Sequence, residues 1–101
     1  MAERGLNKII VIGRLGDDPE MQYLPNDKAT AKTKLRVAVN SGYGEYATVD
    51  WFNVEVFGKQ AEACNEFLQK GNRVYVEGSI HFREYEGKWY TTLKAKEVLF
   101  L

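Results

Sequence analysis

The sequence of 101 residues has one cysteine, one histidine, two prolines and no net charge. The lone cysteine, Cys64, excludes an intramolecular disulfide and fits a reducing compartment. The N-terminus also has no signal-peptide hydrophobic stretch, so we do not expect secretion. Cys64 and the single histidine, His81, cannot make a typical four-ligand zinc site, and no motif supports a Cys–His nucleophilic pair. We expect a binding protein with no cofactor, and not an enzyme.

Hydrophobic and charge patterns exclude a membrane-spanning helix and are typical of a single soluble domain. No apolar run approaches the roughly 18 residues of a membrane-spanning helix, and no glycine-rich phosphate loop of the P-loop type occurs. Hydrophobic residues make up 45% and charged residues 28%, which is ordinary for a soluble domain. The length predicts a single domain over residues 1–101.

The charges balance at fourteen basic and fourteen acidic residues, whereas a nucleic-acid binder is usually basic. One strip departs from this balance, because residues 28–44 hold Lys28, Lys32, Lys34 and Arg36 and no acidic residue. A local basic strip attracts phosphate even on a neutral protein. The alternative is an ordinary solvated strand face.

Residues 50–59 predict a strand with aromatic rings on both faces. Alternation puts Phe52, Val54 and Val56 on one face and Trp51, Asn53, Glu55 and Phe57 on the other. The second set spaces two large rings about 20 Å apart on the face that should be wet. Such a surface suits a ligand with flat faces along a flexible backbone, such as single-stranded nucleic acid. Alternatively, another chain or a loop covers the two rings.

The remaining patterns predict an all-β protein with one helix. Alternation in residues 31–39 puts Thr33, Leu35, Val37 and Val39 on one face and Lys32, Lys34 and Arg36 on the other. The helix has Ala61, Cys64, Phe67 and Leu68 on its apolar face and Gly71 as its C-cap. The predicted elements are strands at 6–15 (with a bend at Gly13), 31–39, 51–57, 74–80 and 91–101, a short extended piece at 21–24, turns at Asp17–Pro19 and Pro25–Asp27, a loop at 41–44, and a helix at Lys59–Lys70. Five strands with one helix between the third and fourth match the OB-fold, a partly open Greek-key barrel that binds oligonucleotides or oligosaccharides.

Glu86-Gly87 predicts the turn of a protruding hairpin. With a two-residue loop, Tyr85 pairs with Lys88 and Arg83 with Tyr90, so two tyrosines and two cations share one face. Trp89 then lies on the opposite face with Phe82, as core, subunit contact or a second stacking surface. A one-residue shift of register would exchange the two faces.

These motifs occur together and in order along the whole chain. They are Arg4–Lys8, Val11–Gly16, Asp18–Glu20, Trp51–Val54, Phe57–Lys59, Leu68–Gly71, Val74–Gly78 and Tyr90–Thr92. In this order the sequence resembles the bacterial single-stranded DNA-binding proteins, a family also found in mitochondria, plastids and phages. The resemblance implies sequence-independent binding of single-stranded DNA in replication, recombination and repair. It also implies a cytoplasmic protein associated with the nucleoid, or one of an organellar matrix if the source is eukaryotic. It also implies a homotetramer, built as a dimer of dimers with the first strand at the dimer contact.

The resemblance also implies roles for individual positions. Tyr43, Trp51, Phe57 and Tyr85 match base-stacking positions, although two of them are tyrosine where well-known members have tryptophan. The hairpin pattern adds Trp89 to the stacking candidates. Candidates for contact with the DNA backbone are Arg4, Lys8, Arg14, Lys59, Lys70 and Arg83 by resemblance, and Lys34, Arg36 and Lys88 from strand alternation. Asn7, Ile9 and Phe52 fall at expected subunit contacts.

Members of the family usually continue past the barrel into a flexible linker and an acidic tip that recruits replication and repair proteins. These 101 residues stop at Leu101, so we expect a trimmed DNA-binding domain, the alternative being a naturally short member. Partners recruited by a tail are then not expected. Three other functions remain open: a dimeric accessory protein of replication restart, a protein-interaction module, and RNA binding.

Overall fold

The computed structural model describes residues 3–26 and 28–101, so Asp27 of the predicted Pro25–Asp27 turn lies outside the described residues. Strands dominate, with one α-helix and a 3₁₀ turn at Gly44–Tyr46. The elements are β1 Ile9–Leu15, β2 Glu20–Tyr23, β3 Ala31–Ser41, β4 Thr48–Phe57, α1 Lys59–Phe67, β5 Arg73–Tyr85 and β6 Lys88–Phe100.

The five long strands close into a barrel, which confirms the predicted OB-fold. They pair in the order β1-β5-β6-β4-β3, and β1 then pairs with β3 to close the ring. The closing pairs are Arg14 with Ala38 and Leu15 with Val37. Short β2 adds a sixth strand on the edge of β3. All pairings are antiparallel except that of β4 with β6, which is parallel.

The barrel interior follows the predicted alternation. Val54 and Val56 on β4 are each 1% exposed, while Trp51 and Phe57 on the same strand are 48% and 38% exposed. The helix α1 contributes Ala61 and Cys64, both fully buried. The buried Thr33 hydroxyl donates a hydrogen bond of 2.7 Å to the Ala61 carbonyl and so ties β3 to the helix. The predicted core assignment of Cys64 is confirmed.

Several predicted element boundaries are wrong, since β3, β4 and β5 extend beyond the predicted 31–39, 51–57 and 74–80. The helix ends at Phe67 and not at Lys70, because the next residue, Leu68, is extended (φ −98°, ψ 150°) and buries its side chain in the core. Residues 69–72 instead bond to the β1 side of the barrel: the Lys70 amide donates to the Asp18 carboxylate at 2.8 Å. Gly71 is therefore not the C-cap. The first strand begins at Ile9 and not at Leu6.

The predicted helix face also needs a correction. Phe67 is 64% exposed, so it does not belong to the apolar face of α1. Among the described residues, no helix is long and apolar enough to cross a membrane.

The hairpin between β5 and β6 has the predicted two-residue turn. Glu86 and Gly87 both have positive φ, at 50° and 78°, as a type I′ turn requires. Tyr85 pairs with Lys88 and Arg83 with Tyr90, so the predicted register is confirmed. Nearer the barrel, β6 carries a bulge opposite Glu77 and Gly78.

Candidate nucleic-acid interface

The outer surfaces of β3 and β4 lie side by side, and they differ because β3 presents cations while β4 presents two aromatic rings. On β3 the outward residues include Lys32, Lys34 and Arg36; on β4 they are Trp51, Asn53, Glu55 and Phe57. The register pairs Lys32 with Phe57, Lys34 with Glu55 and Arg36 with Asn53. A row of cations therefore runs beside a row with an aromatic ring at each end.

The parallel pairing of β4 with β6 extends this surface onto the hairpin. Glu55 pairs with Lys94, and the residues on the same face of β6 are Thr92, Tyr90 and Lys88. Their partners on β5 are His81, Arg83 and Tyr85. The outward face of β3–β4 and the cationic face of the hairpin are thus one surface, here called the outer face: Lys32, Lys34, Arg36, Trp51, Asn53, Glu55, Phe57, His81, Arg83, Tyr85, Lys88, Tyr90, Thr92 and Lys94.

A groove of about 690 Å³ runs over the middle of the outer face. Basic side chains from three strands line it, namely Lys34, Arg36, Arg83 and Lys94, together with the Tyr90 ring. Carboxylates also line it, since Asp17, Asp18 and Glu20 form one wall. The groove brings cations and flat rings together, which is the combination that binds a phosphate backbone and its bases.

Trp51 is held in place by its neighbours. The Arg36 guanidinium lies 4.3 Å from the centre of a Trp51 ring, in cation–π geometry. The indole also lies against Gly16, where an added Cβ would come within 2.4 Å of the ring. Half of the side chain still faces solvent. Trp51 therefore offers a fixed flat surface beside a cation.

Phe57 marks the other end of the β4 row. The Lys32 ammonium lies 6.0 Å from the centre of its ring. The same ammonium forms an ion pair of 2.9 Å with the Glu55 carboxylate. Lys32 is thus shared between an aromatic ring and a carboxylate.

The hairpin separates two predicted stacking residues. Tyr85 lies on the outer face, 58% exposed, beside Arg83 and Lys88. Trp89 pairs with Glu84 and lies on the opposite face with Phe82. The two rings of that opposite face are 69% and 68% exposed. Tyr43, 90% exposed, precedes the 3₁₀ turn in the connection between β3 and β4.

The predicted backbone contacts are all exposed but do not form one cluster. Lys34, Arg36, Arg83 and Lys88 belong to the outer face, and Lys59 begins α1 two residues after Phe57. Arg14 on β1 pairs with Ala38, which is also the strand partner of Trp51, and it donates a hydrogen bond of 3.1 Å to the Gly71 carbonyl next to Lys70. Arg4 and Lys8 are exposed in the segment that precedes β1.

The three predicted subunit contacts interact with their own chain. The Asn7 side-chain amide donates to the Ile80 carbonyl at 2.6 Å and accepts from the Ile80 amide at 3.0 Å, so it continues the β1–β5 pairing. Ile9 and Phe52 are partly buried against the barrel core. The exposed apolar residues of β1 are Ile10 and Ile12, at 50% and 45%. A role of Asn7, Ile9 and Phe52 between subunits stays a prediction.

The geometry agrees with comparisons with known proteins. The model of the single-strand binding protein family matches residues 6–100. The chain belongs to this family. A solved structure from Plasmodium falciparum, an SSB complex with ssDNA, is similar at 28% identity and a TM-score of 0.89, over 100% of this chain and 99% of the other.

The outer face includes two lysines, Lys94 and Lys32, that were not among the predicted backbone contacts. Lys94 reaches the groove only because β6 pairs with β4, and this pairing joins residues about 40 positions apart. Strand alternation placed Lys32 on the same face as Lys34 and Arg36, although it was not among the predicted contacts with the DNA backbone. Among the described residues, no group of three or more His, Cys, Asp and Glu side chains is placed to hold a metal ion.

Proposed function

We propose that this protein binds single-stranded DNA without sequence preference, along the outer face. The observation that carries this proposal is the continuity of that face across four strands, with aromatic rings and cations in alternation. Bases stack on flat side chains regardless of sequence, while lysine and arginine neutralise phosphates. Family membership supports the same ligand.

Within this proposal, bases stack on Trp51, Phe57, Tyr85 and Tyr43. Lys34, Arg36, Arg83 and Lys88 contact the DNA backbone along the outer face. The other backbone candidates, Arg4, Lys8, Arg14, Lys59 and Lys70, contact a strand that continues around the barrel. Trp89 lies on the opposite face of the hairpin, and its stacking role stays a prediction.

The proposed cellular role is the protection of transiently exposed strands in replication, recombination and repair. The mechanism is mass action: a protein that binds the single strand and not the duplex pulls melting equilibria toward open DNA. Nucleotide hydrolysis is not part of this mechanism, so we propose no catalytic residue. The proposed location is the nucleoid, or the matrix of an organelle.

We also propose that four copies assemble as a dimer of dimers, with β1 at a contact between copies. Support comes from an apolar patch on the outside of β1, β5 and β6. Ile12 pairs with Tyr75, and Tyr75 pairs with Leu99. Ile10, Ile12 and Leu99 are each about half exposed, as is typical of surfaces that bind another chain.

The test replaces Trp51 and Phe57 with alanine together and measures binding of a long oligothymidine. At about 1–3 kcal/mol per stacked base, the double variant should bind at least roughly tenfold more weakly. Phe67→Ala is the matched control, because it removes an exposed ring on α1 that does not line the groove. An equal-length duplex should bind neither the wild type nor the variants tightly.

The same titration separates the alternatives. Retained affinity in the double variant would move Trp51 and Phe57 to a protein interface. Tight binding of oligouridine would extend the ligand to RNA. Light scattering of the complex distinguishes four chains from the two chains of a dimeric accessory protein.

A further inference from the structure

A single carboxylate, that of Glu55, lies among the lysines of the outer face. It forms the 2.9 Å ion pair with Lys32, and both side chains are mostly buried, at 22% and 18% exposed. Its strand partners are Lys34 on β3 and Lys94 on β6. Glu55 also lines the groove with the two partner lysines. Three lysines from two neighbouring strands therefore surround one negative charge at the floor of the groove.

Lysines grouped in this way attract the phosphates of a nucleic acid. A phosphate that approached these lysines would meet the Glu55 charge at similar distance. Like charges about 4 Å apart repel by roughly 1 kcal/mol even in a watery environment. The ion pair must also be broken or shared before Lys32 can turn to a phosphate. The other groove carboxylates differ, because Asp18, for example, accepts the Lys70 amide hydrogen bond at the wall.

We propose that Glu55 limits the affinity for single-stranded DNA by competing with phosphate for Lys32, Lys34 and Lys94. The inference rests on the proposed function, and it adds a residue that sets the strength and the salt dependence of binding. The Glu55 charge then reduces the electrostatic attraction between the groove lysines and the DNA phosphates. Stacking on Trp51 and Phe57 carries a correspondingly larger share of the affinity.

Two other roles for Glu55 make different predictions. If the carboxylate instead held Lys32 in position for a phosphate, removal of its charge would weaken binding. If it instead accepted a hydrogen bond from a base amino group, as carboxylates do from cytosine N4, the effect would depend on the base. If Glu55 competes with phosphate, removal of its charge should tighten binding to oligomers of every base composition.

The test compares Glu55→Gln with the wild type in titrations with oligothymidine and oligocytidine at several salt concentrations. Glu55→Gln should bind both oligomers roughly fivefold more tightly at low salt. The slope of log K against log salt should steepen by about 0.7, the value for one additional neutralised phosphate of a single strand. Glu55→Asp, which keeps the charge, should stay close to the wild type.

Glu66→Gln is the matched control, since it makes the same change of net charge on exposed α1, away from the groove. Its affinity and salt slope should change little. Thermal unfolding of each variant verifies that the barrel is intact. Unchanged or weaker binding by Glu55→Gln, an equal gain in Glu66→Gln, or a gain limited to one base would overturn the inference. Failure of the wild type to bind either oligomer would overturn the proposed function itself.

Discussion

Tyr85 and Trp89 lie four residues apart on the same hairpin, yet their rings project from opposite faces. The outer face beside Tyr85 carries Arg83 and Lys88. Substitution of Tyr85 by alanine removes one stacked base at about 1–3 kcal/mol, which corresponds to a loss of affinity of roughly 5- to 150-fold. The opposite face beside Trp89 carries Glu84 and Phe82, and the described residues of the hairpin place no lysine or arginine on that face. Substitution of Trp89 by alanine should therefore weaken binding less than twofold, although its ring is the more exposed of the two.

The assay is competition between labelled and unlabelled oligothymidine, measured by fluorescence anisotropy. A labelled oligomer is needed because Trp89 is one of the two tryptophans of the chain, so its removal changes the intrinsic signal. Equal losses of affinity in both variants would refute the assignment of DNA contact to the Tyr85 face alone. They would show that the DNA strand contacts both faces of the hairpin. If neither variant lost affinity, the hairpin would not be part of the DNA interface.

Three further predictions concern the barrel that supports the outer face. Thr33→Val removes the buried hydrogen bond to the Ala61 carbonyl, so the free energy of unfolding should fall by about 1–2 kcal/mol in chemical denaturation; an unchanged midpoint would contradict this. Burial raises the pKa of the Cys64 thiol from its ordinary 9.0 to about 11, so the thiol should react with a thiol reagent at pH 8 only after unfolding. The same shift means that the folded state loses stability as pH rises from 9.0 to about 11. Gly78→Ala would place a Cβ 1.9 Å from the Lys94 carbonyl oxygen at the bulge; the hairpin must then shift, and a thermal midpoint equal to that of the wild type would refute the close approach.

Local patterns predicted the parts of this fold that depend on local spacing. The alternation in β4 correctly separated buried Val54 and Val56 from exposed Trp51 and Phe57, since a period of two is enough to assign faces. The Glu86-Gly87 turn fixed the hairpin register, because a two-residue loop leaves no freedom in the pairing. Both predictions needed only residues close together in the chain.

The misassigned positions are those at which distant residues decide the structure. The helix pattern continued to Lys70, but Leu68 reaches the core only in an extended conformation, and the Asp18 carboxylate binds the amide of Lys70. Helical spacing likewise favoured Phe67 on the apolar face, although Phe67 is the last residue of the helix and its side chain is exposed. Periodicity within a segment carries no information about such contacts.

Contacts between distant strands also escaped prediction. The Gln60 side chain donates a hydrogen bond to the Lys96 carbonyl at 2.9 Å and accepts one from the Val98 amide at 2.9 Å, so it satisfies the backbone at the β6 bulge. No motif marks Gln60 for this role. The pairing of Glu55 with Lys94 is equally invisible in the sequence, and it is the pairing that joins the two halves of the site.

The pairing of β4 with β6 decides when the outer face forms during synthesis of the chain. The ribosome delivers β3 and β4 before β6. Until β6 docks beside β4 through Val54–Leu93 and Glu55–Lys94, the basic row of β3 and the hairpin cations belong to separate pieces of chain. A nascent chain therefore holds only half of a groove, and the complete surface appears in one step when the last strand closes the barrel. A chain that lacks β6 should therefore bind nucleic acid more weakly than the closed barrel, because the hairpin cations are not yet beside the basic row of β3.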